Sequence, residues 1–233
     1  MDIWYTTVKS ILRAYLAVFS SGVHVRRMNL CPPGPKIIAA NHPNVTDGFY
    51  FPFLFREKLH ALIQGNVFFT PVIGWLLSKA GQIPVHPGQG KLIIKQACET
   101  LAKGGAVVIF PEGRLNPQNN RMRAKIGAVK ISLTSGAPIV PLGIYVPDQH
   151  TLNIKIRSRD EIHQGGWQFG GRCFIEVGNP WLPAREILEG FEELSLQELT
   201  VRLMNKIYSL AQLASQESIL CESPTYPRPI PPW

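Results

Sequence analysis

The apolar positions of this chain fall into short blocks whose period switches repeatedly between helix and strand. Residues 3 to 19 place Trp4, Val8, Leu12, Tyr15 and Phe19 at steps of three and four, with Lys9 and Arg13 on the other face, which predicts an amphipathic helix. It is too interrupted by charge for a transmembrane span, and Asp2, Lys9 and Arg13 do not suit a signal peptide. Either packing on the core or lying among lipid headgroups fits such a helix. Gly22 to Arg27 reads as an edge strand, Pro32-Pro33-Gly34-Pro35 as a break, and Lys36 to Ala40 as a buried strand. The aromatic run from Phe49 to Phe55 is apolar nearly all round, predicting burial or lipid contact. His60 to Ile63 reads as a strand, and 66 to 80 as helical with Pro71 near its start.

The same alternation continues with a strand at Gln82–Val85, a helix at Lys91–Ala102, a strand at Ala106–Phe110, a helix at Lys125–Thr134 and a strand at Ile139–Val146. Leu152–Ile156 and Cys173–Val177 alternate with period two and are expected to form a late hairpin joined by a Gly-rich loop. Ile187 to Ala214 reads as helix with a break near Ser195, and the last eleven residues, rich in Pro, as disordered. The expected fold is a single α/β domain with a mixed, largely parallel sheet flanked by helices. Its organisation is an amphipathic or membrane-associated helix (1–20), a main α/β domain (21–182), a helical extension (183–222) and a Pro-rich tail (223–233).

Composition changes this picture in two places. Residues 1–159 carry 19 Lys/Arg against 6 Asp/Glu, whereas residues 160–233 carry 5 against 10. The basic body calls for an anionic partner, which charge alone leaves open among nucleic acid, membrane surface and phosphorylated substrate. No zinc finger, RNA-binding aromatic motif or basic zipper accompanies the charge, so nucleic acid is not expected as a partner. Cys31, Cys98, Cys173 and Cys221 lack metal-ligand spacing, which predicts no metal site and four reduced thiols in a cytosolic compartment.

Two turns carry the candidate chemistry. Asn41-His42-Pro43-Asn44-Val45-Thr46-Asp47 follows a buried strand and sets an imidazole five positions before a carboxylate. An aspartate folded back onto one ring nitrogen fixes the tautomer and leaves the other nitrogen to act as general base. With six histidines in the chain, chance supplies such a spacing with a probability of about 0.3, so corroboration is needed. It comes from Phe110-Pro111-Glu112-Gly113-Arg114 at the carboxyl end of another apolar strand, where ligands of open α/β sheets bind. A guanidinium there suits a phosphate, and the glycine permits close backbone approach.

Together these turns resemble the glycerolipid acyltransferase family, which acylates glycerol phosphate and lysophospholipids. Asn41, His42 and Asp47 match its N-H-x4-D motif, Phe110 to Gly113 its F-P-E-G-T-R motif, and Ala137 to Pro141 its fourth block. The resemblance covers roughly residues 30 to 146. Two departures stand out: Arg114 lacks a preceding Thr, and Pro87 in Gly81-Gln82-Ile83-Pro84-Val85-His86-Pro87 occupies an arginine position. Both look like the acyltransferase part of bacterial 2-acylglycerophosphoethanolamine acyltransferases.

The resemblance implies acyl transfer from acyl-CoA or acyl carrier protein, as co-substrate and without a cofactor, to a hydroxyl of a glycerol phosphate or lysophospholipid. The acceptor implied is 1-acyl-glycerol-3-phosphate or a related lysolipid. His42 is then the base and Asp47 its orienter. Glu112, Gly113, Arg114, Asn41 and Pro111 bind substrate, with Arg114 on the acceptor phosphate. No G-x-S-x-G elbow is present, which favours direct transfer over a serine acyl-enzyme. The expected location is the cytoplasmic face of a membrane, peripheral or monotopic. The alternative is a non-catalytic membrane-binding protein that keeps the fold.

Overall fold

The computed structural model describes residues 2–158, 161–188 and 194–222. The elements run α1 (Ile3–Phe19), β1 (Val23–Arg26), β2 (Ile37–Ala40), α2 (Phe51–Leu54), β3 (Leu59–Gln64), α3 (Ile73–Lys79) and β4 (Ile83–Val85). They continue with α4 (Gly90–Ala102), β5 (Ala106–Ile109), α5 (Gly127–Ser135), β6 (Ile139–Tyr145), β7 (Thr151–Ser158) and β8 (Glu161–Gln168). The described chain closes with β9 (Cys173–Val177), α6 (Pro183–Leu188) and α7 (Leu196–Glu222). The expected tail at 223–233 lies outside the described residues.

Seven strands form one sheet in the order β1-β9-β6-β2-β5-β3-β4. Its pairs are parallel except β6 with β9, so the mixed, largely parallel sheet is as the alternating pattern predicts. Central strands β2 and β5 are buried at every position, which is why they read as unbroken apolar runs. Alternate residues serve opposite layers. Ile37 and Ala39 pack with Ala97, Val129 and Leu203 from α4, α5 and α7. Ile38 and Ala40 face Leu16 of α1 and Phe51 of α2.

One strand pairing differs from expectation. β7 pairs with β8 in a separate two-stranded sheet, while β9 enters the main sheet between β1 and β6. The Gly-rich stretch expected to be a loop is therefore itself a strand. Its glycines serve close packing: a Cβ on Gly165 would lie 2.6 Å from Val45, and one on Gly166 only 2.3 Å from the Asn44 side chain. The hairpin thus presses onto the turn that follows β2, and Val45 N–H donates to the Gly166 carbonyl at 2.8 Å.

The helix expected over 66–80 is split into a 3-10 turn at Gly65–Phe69 and α3. Pro71 lies between them, lacking the N–H that a continuous helix needs. On α1, the stripe containing Trp4 and Tyr15 faces inward: Trp4 meets Trp75 edge-on with centroids 4.6 Å apart, and Tyr15 meets Phe49 at 5.3 Å. Lys9 and Arg13 fold over the Phe53 ring. A different stripe, Ile3, Ile11 and Val18, faces out at 51–72% exposure.

Candidate active site

The two turns meet because their strands are neighbours. β2 and β5 are parallel and adjacent, with Ile38 opposite Val108 and Ala39 opposite Ile109, so residues 70 positions apart leave the sheet side by side. Asn41 anchors the first turn. It is fully buried, its side-chain amide donates to the Ile144 carbonyl at 2.9 Å, and its oxygen accepts the Ile144 N–H at 2.7 Å. This clips the end of β2 to β6. The amide also reaches the Asn119 side chain at 3.0 Å.

His42 follows, partly exposed, with its ring stacked on Phe110 at a centroid distance of 3.9 Å. Its Nδ1 lies 3.1 Å from Asp47 Oδ2, which also accepts the Asn44 N–H at 2.7 Å. Asp47 is 1% exposed and begins a 3-10 turn that folds the carboxylate back onto the ring. Burial pushes the Asp47 carboxyl above the ordinary aspartate range, while the His42 imidazole and the Asn44 N–H pull against it. An Nδ1–H donated to this carboxylate leaves Nε2 as the basic atom, and Nε2 has no hydrogen-bond partner among the described residues.

The second turn holds the first by its backbone. Glu112 is 3% exposed, and its Oε2 accepts the His42 N–H at 2.9 Å. Its Oε1 accepts the Asn116 amide at 2.8 Å and the Tyr208 hydroxyl at 2.9 Å. Asn116 N–H in turn donates to the His42 carbonyl at 2.7 Å. Pro111 is buried, and its carbonyl accepts the Lys125 N–H at 2.7 Å. Gly113 stands at φ +68°, a left-handed turn conformation suited to glycine, with the Lys125 side chain against it. Arg114 is exposed and makes no ion pair among the described residues.

The structure therefore joins Asn41, His42, Asp47 and Glu112 through one hydrogen-bonded network with the 116–119 loop, places buried Pro111 next to it in the second turn, and leaves Gly113 and Arg114 exposed. Sequence reasoning did not single out Asn116, Gly165, Gly166 or Tyr208. Only Asn116, one helical turn's spacing after Glu112, carried any local signal. Chemically, the arrangement supplies one oriented imidazole base and, on the adjoining turn, an exposed cation; among the described residues no serine or cysteine is hydrogen-bonded to His42, Asp47 or Glu112.

A family model described as Acyltransferase matches residues 22–145. The chain is similar to the 1-acyl-sn-glycerol-3-phosphate acyltransferase of Pseudomonas aeruginosa, at 28% identity over 144 residues, 60% of this chain and 52% of that protein. It is also similar to the lyso-ornithine lipid O-acyltransferase of the same organism, at 32% over 127 residues, 52% of this chain and 46% of that one. The chain spans about half the length of these curated relatives. Among solved structures, the 1-acyl-sn-glycerophosphate (LPA) acyltransferase PlsC from Thermotoga maritima superposes with a TM-score of 0.65 at 19% identity. That match covers 92% of this chain and 79% of that one, and it shows a shared fold.

Proposed function

Because the chain belongs to the acyltransferase family, we propose that it transfers a fatty acyl group from an acyl thioester to the hydroxyl of a lysolipid or glycerol phosphate in phospholipid synthesis or remodelling. The observation that carries this reading is the His42–Asp47 pair, bonded through Nδ1 with Nε2 unengaged. His42 Nε2 takes the proton of the acceptor hydroxyl as its oxygen attacks the thioester carbonyl. Asp47 holds the tautomer and stabilises the imidazolium that forms. Collapse of the tetrahedral intermediate expels the thiolate, which takes the proton back from His42, giving ester and free thiol.

Arg114 is the acceptor-phosphate ligand in this reading, supported by its exposure and unpaired charge beside the Glu112 turn. Lys125, packed against Gly113, adds a second cation on the same side. The relatives named for lysophosphatidate and lyso-ornithine lipid acylation support a lysolipid acceptor. Acyl-CoA and acyl carrier protein are both retained as donors.

The proposed location is peripheral or monotopic on the cytoplasmic face of a membrane. Four free cysteines fit a reducing compartment. Among the described residues no helix is long and apolar enough to cross a membrane. Ile3, Ile11 and Val18 on α1, and Phe69, Val72, Ile73 and Trp75 around α3, are instead exposed apolar side chains that suit insertion among headgroups. The two parts are joined by the Trp4–Trp75 contact. The test offers labelled acyl-CoA and acyl carrier protein with a panel of lysolipids and glycerol 3-phosphate. Ester formation on one acceptor class supports the reading; liposome binding without turnover on any acceptor overturns it in favour of a membrane-binding role.

A further inference from the structure

The segment matched by the family model ends at residue 145, yet the carboxylate at the centre of the second turn is also held from well beyond it. Tyr208 lies on α7, 96 positions after Glu112, and its hydroxyl donates to Glu112 Oε1 at 2.9 Å. The other oxygen of that carboxylate accepts the His42 N–H. We infer that Tyr208 is a positioning residue for the acyl transfer proposed above, fixing Glu112 so that its second oxygen holds the His42 peptide in place. α7 then completes the active site. The kinetic consequence rests on the acyltransferase reading; the structural one does not.

The remaining support of Glu112 Oε1 is local. Asn116 lies four positions on, and its other side-chain bonds go to Asn120 in the same loop. The Asn116 N–H and the Asn119 side chain tie the same loop to the first turn, at the His42 carbonyl and the Asn41 amide. Tyr208 differs because α7 is seated on the sheet. A Cβ on Gly143 of β6 would lie 2.0 Å from Ala211 N and 2.1 Å from Leu210 C, so the helix backbone rests directly on the strand one turn after Tyr208. Leu203, Ile207 and Ala211 are at most 1% exposed and fix the rotation of α7 about its axis. That rotation aims the Tyr208 hydroxyl at Glu112 and at the Asn120 carbonyl, 3.1 Å away. Burial, with the Glu112 charge beside it, pushes the phenol up to about 12, so it remains a donor through the neutral range.

The test uses the full chain and Tyr208→Phe, which removes the hydroxyl and keeps the ring. The expected result is a kcat lowered by about tenfold, equivalent to ~1.4 kcal/mol, with KM for donor and acceptor changed less than about twofold. Hydrogen exchange at the His42 amide should accelerate, and this is read without any turnover. In the Glu112→Gln background the Tyr208→Phe change should add little, because the two groups act as one unit. An unchanged kcat with unchanged exchange at His42 overturns the inference. Faster exchange at His42 in Tyr208→Phe, together with no transfer by the parent protein to any acceptor of the panel, would instead keep Tyr208 as the support of the turn and discard the acyl-transfer reading.

Discussion

Asp47→Asn separates the charge of the His42 partner from its shape. The amide oxygen can still accept from Asn44 N–H and His42 Nδ1–H, where Asp47 Oδ2 now accepts at 2.7 and 3.1 Å. What is lost is the carboxylate charge facing the imidazolium of the transition state. Two unit charges about 4 Å apart interact by about 4 kcal/mol at an effective dielectric of ~20. At ~1.36 kcal/mol per decade that is about 10³-fold, so kcat should fall by roughly 10²–10³-fold with little change in KM. Stability should move the other way. Burial holds the folded-state pKa of Asp47 above its unfolded value, so its contribution to stability is full below the unfolded value and is lost as pH rises through the folded one. The amide of the variant suffers no such loss, and being neutral it avoids burying a charge whose Oδ1 has no hydrogen-bond partner. Single-turnover acyl transfer gives the rate, and thermal melts at about pH 5 and about pH 8 give the stability. A kcat within about threefold of the parent, or a melting-temperature advantage for the Asp47→Asn protein that shrinks as pH rises, would refute this account of the pair.

Two further outcomes follow from neighbouring contacts. Gly166→Ala places a Cβ 2.3 Å from Asn44 Oδ1 and 2.8 Å from Thr151 Cγ2, which pushes Asn44 away and draws its N–H off Asp47. Thermal melts and kinetics should show a loss of about 1–3 kcal/mol of stability together with a lowered kcat; a normal kcat would show that the β7–β8 hairpin is not needed to seat the turn. Val72→Asp with Ile73→Asp charges two exposed positions, 67% and 52%, and Asp at 72 inherits a backbone conformation (φ +65°, ψ −56°) that the bulkier valine already adopts. Each apolar side chain contributes about 1.5–3 kcal/mol when buried, so sedimentation with anionic vesicles should weaken by about 10²-fold or more while the melting temperature stays put. Unchanged partitioning would move the membrane contact elsewhere.

The central strands were legible because full burial writes itself as unbroken apolar runs, as at Ile37–Ala40 and Ala106–Ile109. The two turns were legible because each sits where such a run stops. β8 was not. Gly165 and Gly166 read as loop residues, and only the approach of Val45, Leu115 and Asn44 explains them. β9 alternates in sequence, but alternation does not name a partner, and its neighbours proved to be β1 and β6. The face of α1 was half legible. Helical periodicity found Trp4 and Tyr15, yet the choice between core and lipid depended on Trp75, Phe49 and Trp167 arriving from elsewhere. Asn41 was singled out through the resemblance alone, and only the fold shows the clip its side chain makes to the Ile144 backbone. Tyr208 gave no local signal, since a tyrosine on a helix acquires its role only from what the helix is packed against.

In the proposed reaction His42 removes the acceptor proton during direct acyl transfer. Its most direct test is single-turnover transfer by His42→Ala protein, with labelled thioester and the acceptor identified in the substrate panel. Binding of the thioester should be measured alongside. The rate should be lower by about 10²–10⁴-fold, with thioester affinity retained and no acylated protein trapped at any time. Transfer at the parental rate, or a covalent acyl-protein that forms and then passes its acyl group to the acceptor, would contradict that mechanism.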